Sequence, residues 1–264
     1  MRRFAVSILV LSLTLAGCSS NPSSSQTSNT KLTVLAAASL TNVFPKIGAL
    51  FTKSHPGDTF TFSFAGTDQL AAQIQQGAPA DVFAGASTKY GDELAGAHQI
   101  DPYKIFCTNR LVLIVPASNP AGITSLKDLA TKPVKLVIGA EAVPIGAYTR
   151  TVLSNLDSAY GSGYSTKVLS HVVSNEQDVT SIVTKVQSGE ADAGFVYVTD
   201  AKAAGSKVKA FPLPASAQAV ASYPIAAVTA SKLKSTAEQF AAFVLTAPAQ
   251  ALLRHAGFGP PPSG

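Results

Sequence analysis

Cysteine is scarce in this chain: 264 residues contain two, Cys18 and Cys107. No CxxC pair is present, so neither a thiol-exchange site nor a paired-cysteine metal site is expected, and no intrachain disulfide either. Charge is also sparse, at 13% of residues, and its basic members are scattered rather than gathered into a run that would track a nucleic acid. The signatures of catalysis are missing. There is no GxSxG elbow, no P-loop and no HExxH. His55, His98, His171 and His255 stand isolated, and the acids show no metal-ligand spacing. An enzyme is therefore not expected, and neither is a cofactor.

The amino terminus has a reading of its own. Arg2 and Arg3 precede the apolar run from Phe4 to Ala16, which is too short for an ordinary membrane-spanning helix and ends in Leu15-Ala16-Gly17-Cys18. A charged start, an apolar middle and a small-residue end describe a secretory signal over 1–17. The last four residues resemble the lipobox of bacterial lipoproteins, which implies cleavage before Cys18 and lipid on its sulfur. The mature protein would be held to the membrane through that lipid, on the extracytoplasmic face. Residues 19–30, SSNPSSSQTSNT, hold no large apolar side chain, so 18–30 is expected to be a flexible tether. Loss of the signal lowers the formal charge from +5 to +3. Cys107, beside Phe106, reads as a buried small hydrophobe.

From Lys31 onward, strands alternate with helices, the pattern of α/β layers with mostly parallel sheets. Four strand-to-helix junctions recur. The first is KLTVLAAASLTNVFPKIGALF, where an apolar strand runs through three alanines to Ser39, a candidate N-cap. Pro45 would break a helix begun at Ser39, so a short turn at 40–43 and a regular helix from about Phe44 are expected. The second is FTFSFAGTDQL, with Thr67 at the N-cap position. The third is VPIGAYTR, with Pro144 in the first turn. The fourth follows Val168–Val173, with Asn175 or Asp178 as N-cap. Ser235–Glu238 reads as a capping box. The run Ile105–Pro116 is too long for one ordinary strand and should bend or cross between two bodies. Free N–H groups, hydroxyls and helix dipoles at the carboxyl ends of strands make an anion site without formal positive charge.

AAASLTNVF, FAGTDQLAAQIQQGAPADVF, VPIGAYTR and GFVYVTDA resemble, in order, the periplasmic molybdate-binding proteins of ABC importers, over about Lys31 to Phe258. The resemblance implies a two-lobed type II periplasmic-binding-protein fold, with lobe 1 formed by 31–109 and 215–264 and lobe 2 by 110–214. It implies a monomeric receptor that closes on molybdate or tungstate and hands it to a membrane permease. Ser39 and Thr67 would give hydroxyls and N–H groups, Ile145 and Val179 backbone N–H groups, and Tyr197 its hydroxyl. Molybdenum would be held only as the oxyanion, through these five. The sequence departs from the family at Asp68, where serine is common; its carboxylate is expected to point outward. Two other readings stay open: a surface lipoprotein of the same fold acting as sensor or adhesin, and a receptor for another oxyanion such as sulfate.

Overall fold

The computed structural model describes residues 29–262, so the expected signal, Cys18 and all but the end of the tether lie outside the described residues. Two five-stranded sheets carry the structure. The first is built from β1 (Lys31–Ala37), β2 (Thr59–Ala65), β3 (Val82–Ala84), β4 (Lys104–Asn109) and β10 (Ala221–Ala227), in the order β2-β1-β3-β10-β4. The second is built from β5 (Leu111–Pro116), β6 (Leu136–Gly139), β7 (Val172–Glu176), β8 (Ala193–Tyr197) and β9 (Val208–Pro212), in the order β7-β6-β8-β5-β9. Four of the five strands in each sheet point the same way, as expected, and one runs against them. β1 runs parallel to β2 and β3, and β6 to β7 and β8, but β10 and β5 run antiparallel to both their neighbours. These two are the strands that the chain enters on crossing from the other sheet, and they arrive from the opposite end. The apolar run 105–116 divides at Arg110, with one strand in each sheet, and residues 213–220 lead back.

In the first half, α1 (Phe44–Ser54), α2 (Thr67–Gln75) and α3 (Thr88–Gly96) follow β1, β2 and β3. In the second, the short α4 (Asp128–Thr131) precedes β6. Then come α5 (Pro144–Tyr160), α6 (Tyr164–Ser170), α7 (Val179–Ser188) and α8 (Val198–Ala204). The carboxyl-terminal α9 (Lys234–Val244) and α10 (Ala247–Ala256) return to the first sheet, where Phe240 packs against Phe44, Phe51 and Phe60 at centroid distances of 6.3, 5.5 and 4.7 Å. The alternation in FTFSFA places Phe60, Phe62 and Phe64 in a stack on one face of β2. Cys107 lies fully buried on β4, a free thiol whose pKa burial raises.

Three local expectations are corrected. Ser39 is not an N-cap: it sits inside a 3₁₀ turn, Ala38–Leu40, and its side chain caps no helix. Pro45 delays α1 to Phe44, as expected, and that delay carries the helix's free N–H groups out of Ser39's reach. Val168 belongs to α6 and the strand begins only at Val172, because Val168 is buried as part of a helical face. Helix α9 starts at Lys234, ahead of the expected capping box; the Ser231 hydroxyl accepts from the Leu233 N–H and turns the chain there.

Candidate ligand-binding site

Each of the first four junctions ends a strand and frees backbone N–H groups at a helix start. Ser39 follows β1 directly. Thr67 is not the expected N-cap but the first residue of α2; the cap position falls to Gly66, where no side chain caps the helix. Ile145 is second in α5, behind Pro144, whose missing N–H costs nothing there. Val179 opens α7, capped by Asp178, whose carboxylate accepts from the Ser181 N–H at 2.9 Å and the Ser181 hydroxyl at 3.1 Å. Asn175, the other cap candidate, instead accepts from Arg150 Nη2 at 3.1 Å. Tyr197 closes β8.

The fold brings Ser39, Thr67, Ile145, Val179 and Tyr197 to the wall of one cavity of about 20 Å³ between the two sheets. That is enough for the centre of one small group, since a single water needs about 10–15 Å³ on such a measure. No lysine, arginine or histidine lines it. Its one carboxylate, Asp178, is already committed to capping. The positive ends of α2, α5 and α7 face it instead. Two glycines allow the close fit. A Cβ on Gly146 would stand 2.0 Å from the Ala140 carbonyl oxygen, so only glycine lets α5 start so near β6. A Cβ on Gly66 would stand 2.4 Å from the Gln177 carbonyl oxygen, across the cleft. The two halves touch there. Tyr90 donates to the Ala142 carbonyl at 2.5 Å, and Gln69 Nε2 to Gln177 Oε1 at 3.4 Å.

The side chains around the cavity are organised as donors. Thr67 Oγ1 accepts from the Ala86 N–H at 3.0 Å, which leaves its own hydrogen free. Ser39 Oγ lies 2.8 Å from the hydroxyl of Tyr223 on β10. Tyr197 is 2% exposed, and its hydroxyl is buried with no hydrogen-bond partner. Burial raises its pKa well above the tyrosine range, so it stays a hydrogen donor, with the Tyr223 hydroxyl nearby but not in good bonding geometry. A buried polar atom left in that state is costly unless a ligand completes it.

Asp68 does not line the cavity, but neither does it turn to solvent. Its Oδ1 is buried without a hydrogen-bond partner, close beside Gly66 at the seam between the halves, and burial raises its pKa. Tyr223, Asn109 and Thr199, which surround Ser39, have no signal in the sequence, because strand and helix patterns say nothing of contacts between residues so far apart. Among the described residues no group of three or more histidines, cysteines, aspartates or glutamates could hold a metal, and no helix is long and apolar enough to cross a membrane.

Residues 32–259 match the family described as bacterial extracellular solute-binding protein. The chain is 37% identical over 253 residues to the molybdate-binding protein ModA of Mycobacterium tuberculosis, covering 94% of this chain and 93% of that one. It is 30% identical over 264 residues to the putative ABC transporter substrate-binding lipoprotein YvgL of Bacillus subtilis, covering 97% and 98%. Its structure resembles that of the periplasmic molybdate-binding protein of Azotobacter vinelandii with a TM-score of 0.75 at 23% identity, over 88% of this chain and all of that one. Two five-stranded sheets flanked by helices, with a cavity between them, are the type II periplasmic-binding-protein fold, and the chain belongs to the bacterial extracellular solute-binding proteins, which are receptors rather than enzymes.

Proposed function

We propose that the chain is the receptor of an ABC importer that captures molybdate between its lobes and delivers it to a membrane permease. The lobes on this reading are 31–109 with 215–264, and 110–214. The observation that carries the proposal is the donor-rich cavity: three hydroxyls and the N–H groups of helix starts converge on a space the size of one small ion, with no cationic side chain and with its one carboxylate, Asp178, engaged in capping α7. A fully deprotonated tetrahedral oxyanion offers acceptors and no donors, which is the complement of such a wall. Each hydrogen bond to a charged acceptor contributes roughly 1.5–3 kcal/mol. About seven of them give on the order of 10–20 kcal/mol before the cost of closure, enough for a Kd near 10⁻⁷ M, about −9.5 kcal/mol.

Ser39, Thr67, Ile145, Val179 and Tyr197 hold the ion on this reading. Tungstate, nearly the same size, would bind alongside molybdate, while the smaller sulfate could not touch all donors at once. The leader pattern and the likeness to a relative named as a lipoprotein support anchoring through lipid on Cys18 at the extracytoplasmic face of the cell membrane, and on this reading the receptor acts as a monomer. Calorimetric titration with molybdate, tungstate, sulfate and phosphate tests the proposal. Tight binding of the first two is expected. Preference for sulfate would reassign the ligand, and no oxyanion binding at all would favour a sensor or adhesin.

A further inference from the structure

We propose that Asn109 and Tyr223 are positioning residues that fix the direction of the Ser39 hydroxyl, so that its hydrogen points into the cavity. Asn109 ends β4 and is 2% exposed; Tyr223 is fully buried on β10. The amide of Asn109 has no choice of orientation. Its Oδ1 accepts from the Arg110 N–H at 3.0 Å, so Nδ2 must face the other way. Nδ2 then donates one hydrogen to Thr199 Oγ1 at 2.9 Å and the other to the Tyr223 hydroxyl oxygen at 3.4 Å.

Tyr223 therefore receives a hydrogen from Asn109 and has one of its own to give. Its acceptor in good hydrogen-bond geometry is Ser39 Oγ at 2.8 Å, while the neighbouring Tyr197 hydroxyl does not reach that geometry. Burial holds the tyrosine protonated, so that hydrogen is always present. Ser39 thus accepts from Tyr223, and its own hydrogen must point elsewhere, into the cavity that it lines. Every bond in the series runs towards the ligand: Asn109 to Tyr223, Tyr223 to Ser39, Ser39 to the ion. Thr67 is constrained in the same sense by the Ala86 N–H. An incoming O–H group would meet hydroxyls whose hydrogens already point at it and whose oxygens already hold one bond, so the chain of donors favours a fully deprotonated ligand. Without Tyr223 the Ser39 hydroxyl could rotate and accept.

The inference rests on the oxyanion reading above, and its test separates the two. In the ligand-free full-length protein in detergent, proton NMR should assign the hydrogen between the two oxygens to Tyr223, through its correlation with that ring. Assignment to Ser39 would overturn the proposal, whatever the protein binds. Calorimetry on variants supplies the second arm. Tyr223→Phe keeps the ring and should weaken molybdate binding about 3- to 10-fold, in line with one neutral hydrogen bond. It should also narrow the preference for molybdate over hydrogen phosphate. In a Ser39→Ala background the same substitution should change neither quantity, because Tyr223 acts through Ser39. An equal loss in both backgrounds would make Tyr223 merely structural, and no loss in either would leave it without a role; both results overturn the proposal. A wild-type protein that binds none of the ions refutes the oxyanion reading, and the NMR assignment still decides the direction of the chain.

Discussion

Replacing Tyr197 by phenylalanine should move binding and stability in opposite directions. The hydroxyl is buried and makes no well-formed hydrogen bond to the protein, while the ring is packed 6.2 Å, centroid to centroid, from that of Tyr223. Phenylalanine keeps the ring and removes the orphaned oxygen. A buried hydroxyl without a partner costs about 1–3 kcal/mol of desolvation, so its removal should stabilise the empty protein by something of that order. For a chain of this size each kcal/mol is worth roughly 2–4 °C in Tm. A rise of a few degrees is expected in a thermal melt without ligand. The bound state loses instead: a donor to a charged acceptor is worth roughly 1.5–3 kcal/mol, so calorimetry should show molybdate binding about 10- to 150-fold weaker. Tyr223→Phe supplies the contrast, since it breaks bonds to Ser39 and Asn109 that exist in the empty protein and should lower its Tm. A Tyr197→Phe protein that melts below wild type, or binds molybdate as tightly, would refute the argument that this hydroxyl is held in reserve for the ligand.

Thr67→Val should weaken molybdate binding by a similar 1.5–3 kcal/mol and also lower Tm, because it strands the buried Ala86 N–H; Thr67→Ser should preserve both, and the pair is read by calorimetry and melting. Asp200 is buried, which pushes its pKa up to about 7. A carboxyl raised in the folded state takes up a proton that the unfolded chain, near 3.8, has released, so stability should fall as pH rises from about 4 to about 7. Asp200→Asn, whose oxygen can still accept from the Tyr197 N–H, should flatten that slope, and melts across this pH range would show an unchanged slope if the assignment is wrong. Asp68→Ser should change molybdate affinity little, because Asp68 does not line the cavity; a marked tightening, larger at low salt, would place its charge on the ligand. Cys18→Ala should release the protein from the membrane fraction on fractionation, and a mutant retained as fully as wild type would sink the lipid anchor.

Legibility from sequence followed the range of the interaction. Pro45 delays a helix through its own ring and its missing N–H, both local effects, and α1 does begin at Phe44. The alternation of FTFSFA is a property of one strand, and its aromatics do share a face. The apolar run 105–116 was too long for a single strand and does split at Arg110. Where two local signals competed, the sequence misled. A serine just before a helical pattern reads as a cap, yet Pro45 had already moved the helix away, so Ser39 was free for another partner. The capping pattern at Ser235 failed because a hydroxyl four residues earlier, on Ser231, turns the chain first. The one reversed strand in each sheet was not legible either, since it depends on which end of a sheet the crossover reaches.

The same distinction runs through the site. The N–H donors of α2, α5 and α7 arise from each helix's own start, so a junction read from twenty residues suffices to find them. The direction of a hydroxyl is different, because it is set by whichever group occupies the oxygen's lone pairs. For Thr67 that group is an N–H 19 residues away, and for Ser39 it is a tyrosine 184 residues away on a strand from the far end of the chain. A hydroxyl with free lone pairs accepts as readily as it donates, and a wall of such groups would welcome a protonated ion along with a bare one. Positions along the chain therefore identify which residues can meet an oxyanion. Whether they reject its protonated form depends on contacts that only the assembled fold creates, and Tyr223, which no local pattern singles out, stands at the centre of them.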